Sequence, residues 1–194
     1  MSTMASSVPA SADHAQPADG GQYLGFYIGG EEYAVGILGV KEILEYETVT
    51  RVPKTPTSIR GVINLRGSVV PVVDLAVKFG LPESPVTKRT CIVVLEVDQE
   101  QERTVVGVIA DAVSQVIDLA PTEIEPPPRF GTQVHLDYLR GMGRTGGKKF
   151  VLILDADKVL SSQELLAAAA AAHEASETPA SADAPPDGQE QPPA

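Results

Sequence analysis

The sequence predicts a mainly β protein made of two small, related units packed together, and three observations lead there. First, the stretch 59–75 (IRGVINLRGSVVPVVDL) has a looser copy about eighty residues on, where Leu139-Arg140-Gly141 is followed by residues 150–160 (FVLILDADKVL). Arg60 precedes Asp74 by fourteen residues and Arg140 precedes Asp155 by fifteen. Second, Val40, Ile43 and Leu44 recur with the same spacing as Val113, Val116 and Ile117, and thirteen residues separate both Val40 from Pro53 and Val113 from Pro126. Repetition at this scale marks similar structural units that share a core. Third, the apolar runs are short, rich in Val and Ile, and punctuated by Gly and Pro, with little helix before residue 160. That pattern points to small barrels or a sandwich, and the repeat favours two small barrels along an apolar seam.

The elements follow in chain order. Residues 1–21 carry almost nothing apolar beyond Ala, Val8 and Met, and residues 176–194 are Pro, Ala, Ser and acid. Neither tail can bury enough surface to offset chain entropy, so both are expected to be disordered. Residues 23–28 (YLGFYI) read as a strand, 29–31 as a turn and 32–35 as the hairpin partner. Val40, Ile43 and Leu44 share a helical face, so 40–44 reads as a short helical turn or an irregular strand. Residues 49–52 are extended, and Pro53 and Pro56 then break structure by removing amide donors. Strands are expected over 59–65 and 68–75 around the Arg66-Gly67 turn. The second unit repeats the plan with strands over 90–97 and 104–110, an insertion between Pro128 and Leu139 with one helical turn at 136–139, and a strand over 150–154. Ser161 and Glu164 have capping-box spacing, and alanines carry a C-terminal helix over 161–175. The ordered domain is expected over 22–166, with a first half at 22–88, a second at 89–160, and exchange of strands between them left open.

Composition narrows the function. A formal charge of −11 and an isoelectric point near 4.6 leave no basic stripe to neutralise phosphates, which argues against nucleic acid and anionic membrane surfaces. Trp is absent and Phe and Tyr number nine together, so aromatic platforms for single strands are not expected. Cys91 is the only cysteine, which excludes an internal disulfide or a C-x-x-C site and suits a small core residue. No signal peptide and no spanning segment are recognisable, so a soluble cytoplasmic protein without membrane insertion is expected.

A search for catalytic chemistry returns little. Gly141-Met142-Gly143-Arg144-Thr145-Gly146 satisfies G-x-G-x-x-G, but a strand follows it where a dinucleotide site needs a helix, so it is read as a turn. His14, His135 and His173 lack partners at ligand spacing. Asp155 and Asp157 lie at a strand end and are read as turn caps, and Asp111 and Asp118 likewise. No nucleophile, base and electrophile holder come together, no cofactor or metal is implied, and the chain reads as a binding protein.

The same residues resemble the CheW family of bacterial chemotaxis adaptors. The resemblance covers about 22–164 and is carried chiefly by Gly61-Val62-Ile63-Asn64-Leu65-Arg66-Gly67 with Val70-Pro71-Val72-Val73-Asp74-Leu75. YAVGILGVKEI (33–43), VTRVPKTP (49–56), Val106-Gly107 and Asp111 with Val113 add to it. It implies two five-stranded SH3-like barrels around a shared hydrophobic core, with the alanine-rich C-terminal helix, the acidic tails and Pro126–Pro128 outside that pattern, no enzymatic activity, and a bridge between chemoreceptor cytoplasmic tips and the regulatory domain of the histidine kinase CheA. By position it implies a receptor-facing groove with Val40, Glu42, Ile43 and Arg66, where apolar residues take a helical hairpin and charges fix register. Core packing for Val40 and Ile43, and for Arg66 a solvated turn or a brace onto Glu42, are the structural alternatives. Gly61 and Gly67 are expected to serve backbone geometry and Asp74 a local cap or pair. Phe130, with Arg129 beside it, matches the position where the second barrel docks the kinase; a tucked loop is the alternative. The resemblance equally admits an adaptor of a non-flagellar chemosensory pathway, and a different class, a small-ligand-binding β-barrel sensor, would need an apolar cavity. The length argues against the receiver-bearing CheV arrangement and against CheA itself, so neither is expected.

Overall fold

The computed structural model describes residues 20–47, 49–99, 102–127, 134–146 and 149–160, with Ala167 and Ala170. The C-terminal helix expected over 161–175 lies outside the described residues apart from those two alanines, both helical. The order is β1 (Gly21–Ile28), β2 (Glu31–Gly36), β3 (Val40–Glu45), β4 (Ile59–Leu65), β5 (Ser68–Asp74) and α1 (Leu75–Lys78). It then repeats as β6 (Cys91–Gln99), β7 (Glu102–Ala110), β8 (Ala112–Leu119), β9 (Ile124–Glu125), β10 (Leu139–Thr145), β11 (Lys149–Leu154) and α2 (Ala156–Val159).

Two sheets result, one ordered β8-β1-β2-β11-β10-β9 and one ordered β3-β6-β7-β5-β4. Each takes its central hairpin from one repeat and its flanking strands from the other. In each sheet one join is antiparallel, β1 with β8 and β3 with β6, and the other parallel: Leu152 and Ile153 of β11 face Tyr33 and Ala34 of β2, and Val72–Asp74 of β5 face Gly107–Ile109 of β7. The six-to-five strand difference is the two-residue β9; its counterpart in the other sheet is the single bridge Thr50↔Val62.

Period-two alternation explains why the central strands are apolar without interruption. On β6, Val93, Leu95 and Val97 enter the large core between the sheets, while Ile92 and Val94 enter a second core with Val72 and Ile109. On β1, Leu24, Phe26 and Ile28 face the shared core, and Tyr23 joins Ala34, Ile117, Leu119, Val151 and Ile153 inside the other sheet. A strand with a core on each side needs apolar residues at every position.

The Arg-Gly steps of the repeat have a common cause. Pairing slips between Ile59 and Gly61 on β4 and between Leu139 and Gly141 on β10. At each glycine a closing segment approaches: a Cβ on Gly61 would sit 2.1 Å from the Thr50 carbonyl oxygen, and one on Gly141 would sit 2.8 Å from that of Glu125. Thr50 and Val62 exchange two backbone hydrogen bonds of 2.9 and 2.8 Å there.

Two readings are corrected. Residues 141–146 are not a turn: Gly141 to Thr145 lie in β10, and Gly143 is there because a Cβ would meet Leu119 Cδ1 at 2.4 Å. Asp118 caps nothing, being an exposed residue within β8 opposite Gln22. The 40–44 alternative resolves to strand. A bulge between Val40 and Glu42 places Val40 and Ile43 opposite Leu95 and Val93, two residues of the shared core, which is how an i, i+3 spacing arises without a helix. β8 repeats the device, with Val113 opposite Phe26 and Val116 opposite Leu24.

Candidate protein-binding surface

β3 and the β4–β5 hairpin turn bring four of the implied residues together. Val40 is half-buried and packs on the shared core, whereas Ile43, on the same face, is 45% exposed. Glu42 lies between them, and its Oε2 accepts a hydrogen bond from Arg66 at 3.0 Å. Arg66 and Gly67 form a two-residue turn with φ of 51° and 90°, the left-handed pair that matches strand twist in a hairpin. A non-glycine residue there is strained by about 1–3 kcal/mol. Asn64 holds the turn by accepting from the Gly67 amide at 2.9 Å. The Arg66 side chain is nevertheless 80% exposed. The pair joins β3 and β4, the two end strands of the five-stranded sheet, so the brace and a groove contact are compatible. Phe130 and Arg129 lie outside the described residues.

At the end of the β4–β5 hairpin opposite the Arg66-Gly67 turn stands an ion cluster: the cap or pair expected of Asp74 is part of it, while the roles of Arg60 and Glu83 were missed in the sequence. Arg60, with a side chain 10% exposed, pairs with Asp74 Oδ2 at 3.4 Å and with Glu83, and bonds the Ser84 carbonyl at 3.4 Å. Asp74 also caps α1, accepting from the amides of Ala76 (3.0 Å) and Val77 (3.3 Å). The fourteen-residue Arg-to-Asp spacing was the available signal, since it places the two at paired ends of β4 and β5. Two clefts of about 470 and 390 Å³ adjoin the cluster, both bordered by Arg51, Arg60 and Glu83.

Elsewhere, burial first and then the charge of Glu31 push the Tyr33 hydroxyl well above its ordinary range, and burial raises the Cys91 thiol. The Glu96 carboxyl is held below its usual range by a hydrogen bond from Lys41, whose Nζ lies 2.6 Å away. Among the described residues no group of three or more His, Cys, Asp or Glu could hold a metal, and no helix is long and apolar enough to cross a membrane.

Fold and site together define a two-barrel protein with exposed apolar and paired charged side chains along β3 and the β4–β5 turn. The chain belongs to the CheW family of chemotaxis coupling proteins: the CheW-like domain family model matches residues 22–164. It is 41% identical over 146 residues to a chemotaxis protein CheW of Klebsiella aerogenes, covering 75% of this chain and 85% of that one. A probable chemotaxis protein CheW of Rhizobium etli is 33% identical over 147 residues, covering 76% and 92%. Among solved structures, the scaffolding protein TtCheW of Thermoanaerobacter tengcongensis superposes with a TM-score of 0.66 at 30% identity, over 75% of this chain and 95% of that one.

Proposed function

We propose that this chain is a non-catalytic, cytoplasmic adaptor that couples the cytoplasmic tips of chemoreceptors to the regulatory domain of CheA in a signalling array. The observation that carries the reading is the edge of the five-stranded sheet in a CheW-family fold: β3 turns the exposed Ile43 and the half-buried Val40 to one side and Glu42, paired with Arg66 of the β4–β5 turn, to the other. A receptor's helical hairpin is the partner such a face suits. Ile43 and Val40 take its apolar stripe, and Arg66, pre-set by its pair with Glu42, fixes register at modest entropic cost. The kinase contact is proposed for the second barrel, with Phe130 as its apolar anchor and Arg129 beside it, on the strength of the family resemblance. A ligand sensor has less support, because the clefts beside Arg60 mix apolar side chains such as Val49, Val86 and Ile59 with guanidinium and carboxylate groups and are not a wholly apolar cavity.

The test is calorimetric titration of the full chain with a receptor-tip fragment and, separately, with a CheA regulatory domain. Saturable binding to each is expected, without competition when both are present. Binding to neither would leave the adaptor reading without support.

A further inference from the structure

Leu38 stands in the three-residue 3-10 turn Ile37–Gly39 that leads into β3, and it is 98% exposed. Among the described residues no other large apolar side chain is so open; Val86 follows at 55%. Its neighbours Ile37 and Val40 turn inward onto the shared core, so the turn presents one leucine outward.

The repeat shows what the fold itself asks of this corner. Val40 and Val113 are 73 residues apart, and the same offset carries Leu38 to Asp111. Asp111 works inside the molecule, where its Oδ2 accepts a hydrogen bond from the Gly29 amide at 2.8 Å and ties down the β1–β2 turn. At the matching corner a leucine faces solvent instead. Folding therefore gives no reason for the leucine, and a partner would.

The surroundings identify the kind of partner. The turn rests on β6, with the Cβ position of Gly39 3.5 Å from the Glu96 carbonyl oxygen. Glu96 pairs with Lys41 at 2.6 Å and Arg103 at 3.4 Å, and Arg103 reaches Asp98 at 3.6 Å. These four charges satisfy one another within the chain, so Leu38 sits beside a polar network without net charge. An apolar side chain beside a self-neutralised polar rim suits an interface anchor. Leu38 also runs directly into β3, and Ile43 is five residues on, at most roughly 16 Å away, or about three turns of helix.

We propose that Leu38 is a further anchor of the receptor-binding surface, meeting an apolar, uncharged position on the receptor's helical hairpin within about three turns of the position that meets Ile43. The inference rests on the adaptor reading and adds a contact to it.

The experiment titrates full-length wild type, Leu38→Ala, Leu38→Asp and Arg66→Glu with a soluble receptor-tip fragment and with a CheA regulatory domain, and records each thermal midpoint. Leu38→Asp should weaken receptor binding more than tenfold and Leu38→Ala several-fold. Kinase affinity and the midpoint should match wild type, because the side chain contacts little in the fold. Receptor affinity unchanged in Leu38→Asp while Arg66→Glu weakens it would overturn the inference and leave the adaptor reading intact. A loss confined to the kinase domain would overturn the choice of partner. Wild type that fails to bind the receptor tip would remove the adaptor reading itself.

Discussion

Asp74 and Asp155 hold matching places, each ending a strand with a parallel partner and capping a short helix, yet their surroundings differ. Asp74 is buried, caps two amides and faces the buried Arg60, which also binds Glu83 and the Ser84 carbonyl. Asp155 is half-exposed, accepts from the Lys158 amide at 3.4 Å and pairs with the Lys158 ammonium at 3.5 Å, while Arg140 lies open to solvent. One scaffold position thus supports a charge cluster fastening the 81–90 crossing in the first repeat and an ordinary surface cap in the second. The lesson is that matched backbones leave side-chain chemistry free to diverge. The buried Arg60 and Asp74 tie each other to one geometry, because either left without a partner becomes an unpaired buried charge.

Breaking that contrast gives the largest expected effect. Asp74→Ala removes the cap and one of the two carboxylates paired with the buried Arg60, so a loss of roughly 2–4 kcal/mol is expected, against about 1 kcal/mol for Asp155→Ala. Urea denaturation of the two variants measures both, and equal losses would show that the cluster contributes no more than a surface cap.

The paired glycines sharpen it next. Gly61 has a φ of 150° and would place a Cβ 2.1 Å from a backbone oxygen, whereas Gly67, with a φ of 90°, has nothing within 4 Å. Gly61→Ala should therefore cost more than about 2 kcal/mol, since backbone must move, and Gly67→Ala about 1–2 kcal/mol from conformation alone. Chemical denaturation of the two variants decides the order; the reverse would mean the Thr50 bridge yields easily.

The smallest effect is a pH dependence at the first-repeat corner. Lys41 holds the Glu96 carboxyl below its ordinary range, so the contribution is complete above the usual glutamate value of about 4.3 and fades as pH falls through the lowered one. The thermal-midpoint gap between wild type and Lys41→Met should narrow as pH is lowered from 6 to 3. A constant gap would assign the loss to packing of the lysine stem.

Much of this architecture was legible from residue spacing. The strands around 59–75 and 150–154 follow from apolar runs bounded by glycine and turn residues, and the repeat implied two similar units. Which hairpin sits in which sheet was not, because the parallel contacts of β2 with β11 and of β5 with β7 join segments far apart in the chain. Val40 and Ile43 mimicked a helix since a bulge imposes the same i, i+3 spacing. The glycines of 141–146 suggested a turn, but glycine serves close approach as readily as positive φ, and β10 uses it for the former. At the candidate surface, Glu42 and Arg66 could be named from the family pattern, and their mutual bond was one of the alternatives weighed. Leu38 was passed over because an apolar residue between Ile37 and Val40 reads as core until its direction is known.

The central claim is that the face built by β3 and the β4–β5 turn binds the receptor. Its most direct test is calorimetric titration of Arg66→Glu against a receptor-tip fragment, with thermal midpoint and CheA affinity measured alongside. An exposed turn residue can reverse charge without unfolding the chain, so receptor affinity should fall at least about tenfold, near 1.4 kcal/mol, with CheA affinity unchanged and the midpoint lowered only slightly by the lost surface pair with Glu42. Receptor affinity equal to wild type in a folded Arg66→Glu protein would contradict the claim and move the receptor contact elsewhere on the molecule.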